Sequence, residues 1–128
     1  PRAFRVFSEA IDRAAAAGPS GRTTAPAGYI RLHGRNAGHW FREDSGRDDR
    51  YNYLYSAGEL AEWVERARSM AKKVNDLFIV TNNHYRGQAV VNALEMQHAL
   101  GALQVDPPPW LVRHYPRLGA LSGGGRGV

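Results

Sequence analysis

A chain of 128 residues with 43% hydrophobic and 10% aromatic residues has the length of one domain and enough apolar surface for one core, which excludes both a two-domain protein and a disordered chain. Its 17 Lys and Arg against 12 Asp and Glu leave a net charge of +5, carried by arginine because lysine occurs only at Lys72 and Lys73, and the arginine fork suits carboxylate and phosphate partners. The lack of cysteine excludes disulfides, thiolate zinc sites and cysteine nucleophiles and fits a reducing, cytoplasmic compartment, and no apolar run approaches the roughly 20 residues of a membrane span.

In chain order, Phe4, Phe7, Ile11 and Ala14 recur at helical spacing and Gly18-Pro19 supplies a stop, which predicts a helix over residues 3–17. The chain opens on Pro1 with no leader pattern, so it reads as a processed or truncated product. A Gly, Pro, Ser and Thr linker follows, then Gly28 to His33 alternates Tyr29, Arg31 and His33 against Ile30 and Leu32, the pattern of a strand. Arg35 to Asn52 is a long polar stretch of both charge signs with Trp40 and Phe41 embedded in it.

Ser56 and Glu59 have the spacing of a capping box, and Leu60, Trp63, Val64, Ala67, Ala71 and Val74 trace one helical face after it, with Glu59 and Glu62 toward solvent. Leu77 to Val80 reads as a buried parallel strand. A second amphipathic helix is predicted from about Gly87 to Leu100 with Val90, Ala93, Leu94 and Leu100 inward and Gly101 as a left-handed cap. Leu103 to Val105 suits one more short strand, Pro107 to Pro109 starts a short helix through Trp110, Leu111 and His114, and the glycines after Ser122 suit a mobile end. The alternation of strand, loop and helix predicts an α/β fold with parallel pairing.

In parallel α/β folds the ligand lies beyond the carboxyl ends of the strands. That directs attention to His33, Gly34, Arg35 and Asn36 after one strand and to Asn82, Asn83, His84, Tyr85 and Arg86 after the other. His84 or His33 can exchange protons near neutral pH, Arg35 and Arg86 can grip an anion, and the asparagine amides offer both donors and acceptors. Asn36, Trp40 and Tyr53 complete the candidate ligand-binding set, Trp40 as a stacking aromatic at the rim. The same Asn, His and Gly residues also serve to turn the chain and cap the next helix, and Tyr51, Tyr53 and Tyr55 also suit packing against the helix that follows. No metal site is predicted, because neither strand end carries Asp or Glu; a carboxylate would have to come from Glu43, Asp44, Asp48 or Asp49 in the loop or from sequence outside these 128 residues. Phosphate-loop, dinucleotide and hydrolase-elbow motifs are absent from the sequence, and no cofactor is indicated.

The segments Tyr29-Ile-Arg-Leu-His-Gly-Arg-Asn36, Trp40, Tyr51-Asn-Tyr-Leu-Tyr-Ser56 and Thr81-Asn-Asn-His-Tyr-Arg-Gly87, with Ala93-Leu94 and Tyr115-Pro116-Arg117-Leu118, occur in an order and spacing that resemble the carboxyl-terminal half of the domain of unknown function 72 family, the YecE-like proteins. The resemblance implies a TIM barrel and no established reaction. A (βα)8 barrel takes about 250 residues, so the implied layout is a half-barrel over residues 28–118 between an amino-terminal helix and linker over 1–27 and a flexible glycine-rich tail over 119–128. An isolated half-barrel leaves sheet edges open, so the expectation is either a fragment of something larger or a chain that self-associates with a second copy.

The expectation is therefore a TIM-barrel-type protein with a small polar or anionic ligand at its strand-end rim, the set of residues suiting a hydrolase or an isomerase. The alternatives are a basic nucleic-acid-binding module, from pI about 10.0 and Arg42, Arg47 and Arg50 near Trp40, or a structural fragment without activity of its own.

Overall fold

The computed structural model describes residues 4–7, 26–36, 42–44, 46–102 and 104–125. Among these, three strands form one parallel sheet: β1 (Phe4–Phe7), β2 (Ala27–Leu32) and β3 (Asp76–Thr81), in the order β1-β3-β2. Helices α1 (Arg47–Tyr51) and α2 (Ala57–Ala71) lie between β2 and β3 in the chain. After β3 come a 3-10 turn (Tyr85–Gly87), α3 (Gln88–Ala99), α4 (Pro109–His114) and a 3-10 segment (Pro116–Gly125). No described helix is long and apolar enough to cross a membrane.

The structure corrects the sequence expectation at its start. Phe4–Phe7 is a strand and not the first turn of a helix, and residues 8–17 of the expected helix lie outside the described residues. Phe-Arg-Val-Phe is rich in aromatic and β-branched residues, and β3 offers it a row of unpaired backbone groups, with Phe4 opposite Leu77 and Phe7 opposite Val80. A tertiary partner thus overrides a local helical spacing. β3 becomes the central strand, which accounts for its nearly continuous burial from Leu77 to Thr81.

The helix between the strands follows its sequence pattern. Ser56 Oγ accepts from the Glu59 amide at 3.2 Å and Glu59 Oε2 accepts from the Ser56 amide at 2.9 Å, which satisfies backbone donors that the first turn leaves open. Leu60, Trp63, Val64, Ala67 and Ala71 then pack with Ile30, Leu32, Leu77 and Ile79 on one face of the sheet, joined by Val74, Tyr55 and Met96. The opposite face of β2 is more open: Tyr29 is 56% exposed, and it meets Phe78 at 6.5 Å between ring centroids and Arg31 at 5.9 Å.

α3 is rotated relative to the expected face. Val90 is 40% exposed, whereas Ala89, Val91, Asn92 and Met96 are buried, and Ala93, Leu94 and Leu100 are only partly so. The rotation turns the Asn92 amide inward, where it carries the hydrogen bonds described below. Gly101 ends the helix at φ 95°, a conformation that residues with a Cβ rarely adopt. Gln104 and Val105 form no strand, and Leu103 lies outside the described residues. Leu111 and Leu118 join Val91 in a second buried cluster with Leu54, Leu94 and Tyr115 around it. That cluster anchors the start of the 3-10 segment, which runs through Gly125; residues 126–128 are not among those described.

Candidate functional site

The pairing of β2 with β3 fixes which residues share an end of the sheet. Ala27 lies opposite Asp76 and Leu32 opposite Thr81, and the Asn82 amide continues the ladder to the Leu32 carbonyl at 2.8 Å. His33 to Asn36 and Asn82 to Arg86 therefore leave the sheet from the same, carboxyl, end. Between them sits the segment Tyr53 to Ser56, which leads from the loop into α2.

Buried polar contacts hold this segment. Asn83 is fully buried, and its Nδ2 donates to the Tyr53 carbonyl at 2.6 Å and to Asn92 Oδ1 at 2.8 Å. Asn92, equally buried, also accepts from the Tyr55 amide at 3.1 Å and donates to Glu95 Oε2 at 2.9 Å. Arg117 grips Glu95 through Nε at 2.5 Å and Nη2 at 2.7 Å, and its Nη2 also reaches the Tyr55 carbonyl at 2.6 Å. The Tyr55 hydroxyl accepts from the Gly34 amide at 2.7 Å, which ties the segment to the end of β2. Asn83 thus positions the rim from beneath. Asn36 does similar work at the surface, donating to the Asp49 and Asn52 carbonyls at 3.1 and 3.3 Å at the end of α1.

A charged clasp lies above Tyr55. The Tyr53 hydroxyl donates to Glu59 Oε1 at 2.5 Å, and Arg35 stands 3.5 Å from Glu59 and 3.2 Å from Glu62. Burial, with the Glu59 carboxylate beside it, pushes the Tyr53 hydroxyl up to about 12. Burial works to raise Glu59, but the hydrogen bonds from Tyr53 and from the Ser56 amide and the charge of Arg35 outweigh it, so the carboxyl titrates below its usual value. At neutral pH the Tyr53 hydroxyl is neutral and Glu59 is ionised beside Arg35, so the Arg35 charge is already answered within the protein. The helical pattern puts Glu59 on the solvent side of α2, but the capping position turns it to the rim. The signal was legible as the Ser56-to-Glu59 spacing, with Tyr53, three residues ahead of the cap, as its partner.

The two histidines differ. His33 is 2% exposed, and burial, followed by the charge of Arg31, lowers it to about 3, so it is neutral at physiological pH. His84 is exposed, stacks on Tyr51 at 4.9 Å between ring centroids, and places Nδ1 3.1 Å from the Asn82 carbonyl. With Nδ1 carrying the proton to that carbonyl, Nε2 is the basic nitrogen. The burial of His33 makes acid stability predictable. Between about 3 and 6.5 the unfolded chain binds a proton there that the native protein does not, so stability falls as pH drops through that window, by up to about 1.4 kcal/mol per pH unit. Urea titrations of the protein and of His33→Phe at several pH values check this: the substitution is expected to flatten the dependence in that window, and an unaltered slope contradicts the assignment.

Past His84 an open cleft of about 740 Å3 is lined by Asn52, Arg86, Gln88, Trp110, His114 and Tyr115, with Leu111 at its floor. Of these only Arg86 belongs to the set that the sequence pointed to. Trp110 and His114 read as helix residues in sequence and Asn52 as part of the tyrosine-rich segment, and no local pattern brings them together. Asn82 is half-buried at the strand end, Trp40 lies outside the described residues, and Arg42 pairs with Asp44 at 3.3 Å in the exposed loop. Among the described residues no group of three His, Asp or Glu is arranged to hold a metal ion.

Residues 2–113 match the family described as protein of unknown function DUF72. The chain belongs to the DUF72 family. Over 74 residues it is 34% identical to the UPF0759 protein YunF of Bacillus subtilis (strain 168), a match that takes in 56% of this chain and 26% of that protein. Among solved structures, a DUF72 family protein of Enterococcus faecalis V583 superposes with a TM-score of 0.64 at 29% identity, covering 80% of this chain and 39% of that one. A DUF72 family protein of Thermotoga maritima MSB8 gives a TM-score of 0.57 at 32% identity, covering 73% and 34%. The DUF72 chain described here thus spans about a quarter of the curated relative and between a third and two-fifths of these structures. Both strand ends and the cleft residues up to Trp110 fall within its DUF72 match, and so does the Tyr53 to Ser56 segment.

Proposed function

We propose that β2 and β3 are neighbouring strands of a TIM-type barrel and that the rim at their carboxyl ends binds a small polar or anionic molecule, on which the protein acts as a hydrolase or an isomerase. The observation that supports this reading is the parallel register of Leu32 with Thr81, which brings the residues after both strands to one mouth beside an open cleft. Arg86 is the cation for the ligand: unlike Arg35 and Arg117, it has no carboxylate partner among the described residues. His84, with Nε2 open to solvent, is the group to exchange a proton with the ligand, since His33 is held neutral. Arg35, Asn36, Tyr53 and Asn83 keep the rim in shape, and Asn82 carries the carbonyl that orients His84.

Calorimetric titration with inorganic phosphate tests the reading. Arg86→Gln is expected to weaken phosphate binding about tenfold, or about 1.4 kcal/mol, and His84→Ala to weaken it measurably, with the melting temperature of both variants near that of the parent. Phosphate affinity that neither substitution changes would remove the rim as the ligand site. A large loss of stability in His84→Ala with unaltered binding would leave that residue a structural role only.

A further inference from the structure

We infer that the ligand of the cleft is a sugar phosphate, its phosphate held by Arg86 and His114 and the apolar face of its ring laid on Trp110. The inference rests on the reading of the rim as an anion site and names the ligand's chemical class.

The first support is charge. Among the described residues that line the cleft, Arg86 and His114 have no carboxylate beside them, so the cleft attracts anions and offers them nitrogen donors. His114 has Nδ1 2.9 Å from the Trp110 carbonyl, which leaves Nε2 for a ligand. The second is the backbone of Arg86, whose φ of 53° is the one left-handed value outside glycine among the described residues. Its carbonyl is held there by the Tyr115 hydroxyl at 2.7 Å, and its guanidinium rests on the Tyr85 ring at 5.2 Å. A glycine would meet that geometry without strain, yet the position carries a long cation directed by two tyrosines, and retained strain of this kind gathers at functional sites.

The remainder of the lining suits a polyol better than a bare anion. Trp110 is 54% exposed on the short helix α4, a broad apolar surface beside polar groups, as the C–H face of a pyranose requires. Gln88 Nε2 donates to Asn52 Oδ1 at 3.1 Å, which fixes the Asn52 amide and leaves its amino group, on an exposed residue, to donate. A sugar hydroxyl can accept from that group. The volume of about 740 Å3 is in the range of small-molecule pockets, about 300–1,000 Å3.

The experiment is calorimetric titration of the protein with D-glucose 6-phosphate, D-glucose, inorganic phosphate and adenosine 5′-monophosphate. Glucose 6-phosphate is expected to bind about tenfold more tightly than inorganic phosphate. Trp110→Ala should erase that advantage, and Arg86→Gly should reduce glucose 6-phosphate to the affinity of glucose while the melting temperature stays level or rises. Should glucose 6-phosphate bind no better than inorganic phosphate, the sugar assignment falls and the anion reading stands. Tighter binding of the adenosine compound than of the sugar phosphate overturns the assignment in favour of a nucleobase on Trp110. If no phosphate compound binds, both the assignment and the anion reading fall.

Discussion

Replacing Asn92 by alanine is expected to destabilise the protein by about 3 kcal/mol, although the side chain is polar and lies on a helix whose sequence pattern points it outward. Asn92 is completely buried and serves four groups at once: the Tyr55 amide, the Tyr55 carbonyl, the Asn83 amide and the Glu95 carboxylate. Its loss leaves the Tyr55 N–H without an acceptor in a place that water does not reach, and an orphaned buried donor costs about 1–3 kcal/mol. The Asn83 amide loses one of its two acceptors and the Glu95 carboxylate one of its donors, which brings the sum to the stated size. Urea denaturation of the parent, Asn92→Ala and Val90→Ala provides the measurement, because Val90 is the exposed neighbour that a purely hydrophobic reading would place inward. A large loss is expected for Asn92→Ala and a change below about 0.5 kcal/mol for Val90→Ala. The reverse ranking would contradict this expectation.

Gly34→Ala is expected to cost a comparable amount, about 3 kcal/mol, by a different route. A Cβ on Gly34 would stand 2.6 Å from Tyr53 Cβ, and the backbone there has φ of 91°, which an alanine adopts only under strain. The Tyr53 Cβ cannot retreat like the end of a flexible side chain, because its own carbonyl is fixed by Asn83 and its hydroxyl by Glu59. The substitution therefore pushes the Tyr53 to Ser56 segment off the end of β2 and strains the bond between the Gly34 amide and the Tyr55 hydroxyl. Thermal unfolding compared with Gly101→Ala separates crowding from backbone strain, since Gly101 has φ of 95° and nothing within 4 Å of an added Cβ. The Gly34 variant should lose clearly more. Equal losses would mean that only the backbone conformation counts at Gly34.

These two positions also mark where the sequence was readable. The capping box, the inward face of α2 and the run from Leu77 to Val80 follow from local rules, because each depends on contacts within one turn or on burial along one strand. The side-by-side exit of His33 and Asn82 follows as well, since the alternation of strand and helix implies parallel neighbours. β1 was not legible: its pairing with β3 joins residues more than seventy positions apart, and its own spacing imitates a helix. The orientation of α3 was misread for a related reason. The apolar pattern alone puts Val90 inward, whereas the backbone of the Tyr53 to Ser56 segment needs the Asn92 side chain to bond it. The cleft combines Asn52, Arg86 with Gln88, and Trp110 from three separate stretches, and the packing of Leu111 and Leu118 on Val91 brings α4 against α3.

Titration of the nitrogen-labelled protein with inorganic phosphate, followed through its backbone amide signals, shows where on the sheet a ligand sits. The largest shifts are expected on His33 to Asn36, His84 to Gln88 and Trp110 to His114, while Ala27, Lys73 and Asp76 at the other end of the sheet stay in place. Shifts concentrated at that other end, or spread evenly over the chain, would contradict a ligand site at the shared mouth of β2 and β3.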